Sequence, residues 1–191
     1  CEKIKKRFEI GAEPFFAYTG NIEPRKNIVT ILKAFEIVCD RLDGTVSLVI
    51  AGRLCWRTQP IIAAIEQNKY KDRIHLPGYI SEDEKKYLMH NACAFVFPSN
   101  YEGFGIPIIE AMSCGGIVIT ADNSSLKEVG GTTAFYVQKT DEVVQLADRM
   151  VQCFNLSDAE RKKLTADGKS WASQFSWIKC AHETQAVLEQ G

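Results

Sequence analysis

Two glutamates, Glu102 and Glu110, stand eight residues apart in the stretch "SNYEGFGIPIIEAM" (Ser99 to Met112), with Gly103, Phe104, Gly105, Ile106 and Pro107 between them. Paired carboxylates can serve as general acid and base, or each can accept hydrogen bonds from two vicinal hydroxyls, as in ribose recognition. Glycines permit positive φ, and Pro107 suits the first turn of a helix. The free N–H groups of Gly105, Ile106 and their neighbours then project from a helix N-terminus, a place that favours a phosphate or a sugar oxygen. Two acids flanking such donors suit a ligand with two polyol parts, such as a nucleotide sugar. The competing reading is structural: Glu110 complements the helix dipole and Glu102 is a solvated loop residue.

A second loop, "GNIEPRKN", starts at Gly20 and places Arg25 and Lys26 just before a helical pattern. Cations are unfavourable at a helix N-terminus, and a bound diphosphate would compensate both the side chains and the helix end. A solvated surface pair is the alternative. Gly52 and Gly78 either make simple turns or let backbone approach a ligand closely.

The elements that position these loops follow from periodicity. Short apolar runs, "FFAYT" (15–19), "VSLVI" (46–50), "RIHL" (73–76), "CAFVF" (93–97), "GIVIT" (116–120) and "AFYV" (134–137), read as strands buried on both faces and therefore parallel. Helical spacing lies between them, as in Ile28, Ile31, Leu32, Phe35 and Val38, and Ser81 with Glu84 forms a capping-box signature. Strand and helix alternate over about residues 15–150, which predicts an α/β fold with a doubly wound parallel sheet and right-handed crossovers. Two further helical segments form a C-terminal appendix over about 155–190, and the chain reads as a single domain. Asp43-Gly44 reads as turn chemistry. Each unusual loop follows the carboxyl end of a strand, the edge at which open α/β sheets bind ligands.

Composition narrows the classes. The chain has 191 residues and a formal net charge of -1, from 23 basic and 24 acidic side chains, so it offers no whole-molecule field for a nucleic acid. Seven cysteines, an odd number without a CxxC pair, fit a reducing compartment. His75, His90 and His182 lack metal-ligand spacing, and no protein-bound metal is expected. No apolar run reaches the ~20 residues of a membrane helix. The sequence begins at Cys1 without a methionine, which suggests a piece of something longer.

Taken with "LPGYIS", "NSSLKEVGG" and the late "FSW", the two loops and "PSNYEGFGIPIIEAMSCG" resemble the C-terminal half of family 4 retaining glycosyltransferases of the GT-B type. The likeness runs from Phe15 to the last helix and implies a Rossmann-like domain that binds the nucleotide-sugar donor. In such enzymes a separate N-terminal domain binds the acceptor, and that domain is absent from this sequence. The resemblance implies that Glu102 contacts donor-sugar hydroxyls, that Gly103, Phe104, Gly105 and Ile106 line sugar and phosphate, and that Glu110 holds the ribose. It gives Lys26, helped by Arg25, the diphosphate, lays Gly78, Tyr79 and Ile80 against the base, and counts Gly20 and Gly52 among the donor-binding positions.

The resemblance further implies transfer with retention and without a cofactor, cations and helix N-termini stabilising the departing nucleoside diphosphate. The "PRKN" loop is similar to that of mannosyltransferase-like members, which puts GDP-mannose first as donor and a UDP-hexose second, with a glycan or lipid-linked acceptor. A cytoplasmic or inner-membrane-face setting fits. Three positions depart from the family pattern: Asn21 replaces a frequent arginine, and Ile117 and Lys127 stand where prolines are frequent. The isolated chain is expected to bind donor weakly and transfer little sugar. A noncatalytic nucleotide-sugar-binding scaffold, or another GT-B enzyme such as a sugar-nucleotide epimerase or phosphorylase, are the alternatives.

Overall fold

Apolar runs that are buried on both faces set the architecture. The computed structural model describes residues 2–43 and 45–189; Gly44 of the Asp43-Gly44 turn, Cys1, Gln190 and Gly191 lie outside the described residues. Six strands form one parallel sheet: β1 (Phe15–Thr19), β2 (Ser47–Ala51), β3 (Ile74–Gly78), β4 (Phe95–Phe97), β5 (Val118–Ala121) and β6 (Phe135–Val137), in the order β3-β2-β1-β4-β5-β6. Every residue of β1 and β2 is buried, as expected of central strands covered on both sides.

The helices are α1 (Glu2–Arg7), α2 (Ile28–Arg41), α3 (Gln59–Glu66), α4 (Glu82–Asn91), α5 (Ile106–Ser113), α6 (Leu126–Gly130), α7 (Val143–Phe154), α8 (Asp158–Ala172) and α9 (Trp177–Leu188). Seven of them fall into two contacting sets, α2 with α3 and α7, and α5 with α4, α6 and α8. Right-handed crossovers produce this division when strand order reverses, here between β1 and β4. Tyr18, Phe35, Phe95 and Phe97 are among the largest fully buried side chains of the core around the sheet. Among the described residues, no helix is long and apolar enough to cross a membrane.

The doubly wound parallel fold expected from periodicity is present. The predicted strands fall within a residue or two of the observed ones, and both halves of the Ser81–Glu84 capping box form at α4. The helices α1 and α6 have no counterpart in the periodicity, because six and five residues are too few to show a 3.6-residue repeat. The two C-terminal helices differ in kind. Ala172 of α8 joins the main core and the Trp171 indole N–H donates to the Val129 carbonyl at 2.8 Å, whereas α9 buries none of its residues.

The carboxyl ends of the strands are laced together by backbone. Gly20 N–H donates to the Ala51 carbonyl at 3.0 Å, and Gly52 N–H donates to the Gly78 carbonyl at 2.8 Å. Gly52 has φ of 145°, and a Cβ there would lie 1.8 Å from the Gly20 carbonyl oxygen. No side chain can bend away from a backbone clash of that kind. Gly52→Ala is expected to destabilise the chain by about 3 kcal/mol or more, read as a lowered urea midpoint with an unchanged m-value.

Candidate functional site

The loops that follow β1 and β4 meet where the strand order reverses, the place at which open α/β sheets form a ligand crevice. The first loop runs from Gly20 through a single 3₁₀ turn, Pro24–Lys26, to Asn27, which takes left-handed geometry with φ of 60°. Asn27 tolerates that conformation, and its side-chain amide donates to the carbonyls of Pro98 and Thr140. The turn thereby presents Arg25 and Lys26 to the loop after β4.

Both cations hold Glu102. Lys26 Nζ lies 2.5 Å from Glu102 Oε1 and Arg25 Nη1 lies 2.9 Å from Glu102 Oε2. Lys26 is only 9% exposed, and its ammonium also stands 5.0 Å from the centroid of the Phe97 ring. Burial pushes the Glu102 carboxyl up, but hydrogen bonds from Lys26 and Arg25 outweigh it and hold the group below its ordinary value of 4.5. Beneath them, burial and then the charges of Glu102 and Glu23 push the Tyr18 phenol well above its usual range.

The 102–106 segment is fixed from the other side by the loop after β5. Ser125 Oγ donates to the carbonyls of Glu102 and Phe104 at 2.9 and 2.8 Å, and Glu102 N–H donates to Ser124 Oγ at 3.3 Å. Gly105 adopts φ of 106° directly before α5, with Pro107 in the first turn. Gly103 does not take positive φ, so of the two loop glycines Gly105 alone uses that freedom. Phe104 and Ile106 are roughly half exposed, and Phe104 meets Phe175 edge-on at 6.0 Å.

Glu110 lies elsewhere on the same helix. Its carboxylate accepts from Lys85 of α4 at 2.8 Å, and Lys85 also pairs with Glu82 at 2.9 Å. Burial alone would lower the Lys85 pKa, but Glu110 and Glu82 raise it. Glu110 and Lys85 border a groove of about 870 Å³ between α4, α5 and α9, with Phe104, Ile106, Phe175 and Trp177 on its walls. Among the described residues, no hydrogen bond or ion pair joins Glu110 to the Glu102 cluster.

At the third loop, Tyr79 is well exposed with the Arg53 guanidinium 5.2 Å from its ring centroid, and Ile80 packs into a second small core. Gly78 has φ of 72° and open space where a side chain would begin. Arg7, from the helix before the sheet, donates to the Tyr79 carbonyl at 2.7 Å and to Glu84. The structure therefore gathers the predicted residues into three groups: Arg25, Lys26 and Glu102 by ion pairs, Gly20, Gly52 and Gly78 along the laced edge, and Phe104, Ile106 and Glu110 along the groove. Sequence reasoning missed Arg7, Lys85, Glu23 and Trp56, each of which has a partner at least 25 residues away in the chain. The local signals were Glu23 two residues before Arg25 and Glu82 three residues before Lys85.

Residues 2–171 match the family model "Glycosyl transferases group 1". The chain belongs to this glycosyltransferase family. It is 32% identical to the O-antigen chain mannosyltransferase B of Escherichia coli, over 96% of this chain and 48% of that protein. It is 34% identical to the O-antigen chain mannosyltransferase RfbU of Salmonella typhimurium, over 68% of this chain and 36% of that protein. The chain thus spans about half or less of the length of these curated relatives. Its backbone superposes on HepE of Anabaena, determined in complex with UDP-glucose, with a TM-score of 0.84 at 18% identity, over all of this chain and 52% of that one. That likeness establishes the shared GT-B glycosyltransferase fold.

The depressed Glu102 pKa fixes the sign of a pH effect. A carboxyl that ionises more readily in the folded chain contributes stability above its unfolded value, and that stability is lost as pH falls through the folded value. The gap in melting temperature between the unaltered chain and Glu102→Gln should be widest above pH 4.5 and should narrow below it, measured by thermal unfolding between pH 7 and 3.

Proposed function

We propose that this chain is the donor-binding part of a retaining hexosyltransferase, with GDP-mannose as first donor and a UDP-hexose as second, and with a glycan or lipid-linked acceptor. The observation that carries the reading is the pairing of Lys26 with Glu102 at the strand-order reversal, one turn from the N-terminus of α5. It brings an ammonium, a carboxylate and free backbone N–H groups to one place. A sugar diphosphate offers complementary groups: phosphate oxygens for Lys26 and the helix N-terminus, and hydroxyls for Glu102. The mannosyltransferase names of the curated relatives support mannose, and the UDP-glucose complex of HepE supports the nucleotide-sugar class.

In this reading Glu110 receives the ribose at the groove and must exchange Lys85 for it, while Tyr79 and Ile80 border the base. Charge that develops on the departing nucleoside diphosphate is offset by Lys26 and the α5 N-terminus, without a protein-bound metal or other cofactor. The acceptor site is assigned to a part of the enzyme outside this sequence, in keeping with the half-length match. The setting is cytoplasmic, or at the inner face of a membrane when the acceptor is lipid-linked. The six described cysteines are free thiols, which is in keeping with a reducing compartment.

Calorimetric titration with GDP-mannose, GDP, UDP-glucose and UDP tests the reading. Binding of one pair is expected, and Lys26→Ala should weaken it by roughly tenfold or more, the value of a lost charge-assisted contact to phosphate. Binding of neither pair, or unchanged affinity in Lys26→Ala, would sink the assignment.

A further inference from the structure

The donor grip described above leaves one buried acid without a task. Glu23 is 8% exposed, and both of its carboxylate oxygens are engaged. Oε1 accepts from Arg25 Nη2 at 2.9 Å, and Oε2 accepts from the Trp56 indole N–H at 3.2 Å. Trp56 itself is 52% exposed and belongs to the loop after β2, which the backbone bridge between Ile22 and Leu54 holds beside the loop of Glu23. A half-exposed indole with its one polar atom turned inward onto a buried carboxylate is held there by that bond as much as by packing.

Arg25 continues the chain of contacts. Its Nη2 is held by Glu23, while its Nη1 donates to the Tyr101 carbonyl at 2.7 Å and to Glu102 Oε2 at 2.9 Å. The guanidinium fork is therefore committed to protein acceptors at both ends, and its backbone carbonyl accepts from Asn100 N–H at 2.9 Å. Lys26 takes the other Glu102 oxygen. The two acids and two bases of the cluster sum to zero formal charge, so Glu23 cancels the positive charge that Arg25 would otherwise present to a diphosphate.

We propose that Arg25 is a positioning residue rather than a phosphate ligand, and that Glu23 and Trp56 act with it to fix the Glu102 carboxylate for the donor sugar. With each oxygen on a different cation, the carboxylate plane of Glu102 cannot rotate, and its remaining lone pairs keep one direction in which to accept two sugar hydroxyls. The relay Trp56, Glu23, Arg25, Glu102 runs through the loops after β2, β1 and β4. Sugar selection at Glu102 thus depends on a tryptophan linked to that carboxylate through Glu23 and Arg25. The proposal rests on the assignment of Glu102 to sugar hydroxyls.

The test separates sugar contacts from phosphate contacts by the ratio of two affinities, GDP-mannose over GDP, with UDP-glucose over UDP in parallel. Glu102→Gln defines the ratio without the grip. Trp56→Phe, which removes the inward-turned indole N–H together with the five-membered ring that carries it, and Glu23→Gln, which keeps size while removing charge, should each cut the ratio by roughly fivefold toward that floor. Nucleoside diphosphate affinity should hold or tighten slightly, and Trp56→Phe should stay folded with a melting temperature lowered by a few degrees, as the loss of one hydrogen bond to a nearly buried carboxylate requires. A wild-type ratio in both variants, with Glu102→Gln still at the floor, overturns the relay and leaves the donor assignment standing. Weakened nucleoside diphosphate binding in Arg25→Gln at an unchanged ratio would return Arg25 to the phosphate. A wild-type ratio in Glu102→Gln itself removes the assignment, and the relay falls with it.

Discussion

A single carboxylate held between two cations joins the halves of the sheet at their turning point. Glu102 arrives from the loop after β4, Arg25 and Lys26 from the loop after β1, and these strands are neighbours in space although separated by more than 70 residues in the chain. Because Lys26 and Glu102 are nearly buried, their attraction is little screened; removal of Glu102 leaves the Lys26 ammonium without its carboxylate, whereas removal of Lys26 leaves the carboxylate to Arg25 alone. The direction of the 102–106 segment, the start of α5 and the exposure of its N–H groups all follow from where that carboxylate is tied. The serine contacts from the loop after β5 close the arrangement on its other side.

What could be read in the sequence was whatever is local or periodic. Strands covered on both faces must be continuously apolar, and "FFAYT" and "VSLVI" have that character; the Ser81 and Glu84 cap sits within one turn. Arg25, Lys26 and Glu102 were visible as residue types in unusual loops, and Glu110 on the helical pattern that follows the second of them. Their pairing was not, because an ion pair between Lys26 and Glu102 depends on β1 lying beside β4, which is a property of topology. For the same reason Lys85 could not be seen as the partner of Glu110, or Trp56 as the partner of Glu23. Gly103 and Gly105 look alike in sequence, and only the path of the backbone into α5 decides which of them needs positive φ.

The last two helices differ sharply in how much of them the rest of the chain covers. Trp177, Ile178, Val187 and Leu188 of α9 are each more than two thirds exposed, while α8 immediately before it packs on α5 and contributes Ala172 to the core. Twelve residues of helix gain little from their own hydrogen bonds in water, so such a helix is ordinarily stabilised by an apolar face set against other protein. Here the surface available to it within the chain is the groove that Glu110 and Lys85 border.

Backbone joined to backbone at Gly20, Gly52 and Gly78 gives the ligand edge a thermodynamic character of its own. Loops tied by main-chain hydrogen bonds extend the rigidity of the sheet past its last strand residues, and little conformational freedom remains for a ligand to quench. Differences in affinity among ligands at this edge therefore report the contacts they make rather than the ordering they impose. Side chains on the rim of such an edge can be exchanged while the frame beneath them stays as it is.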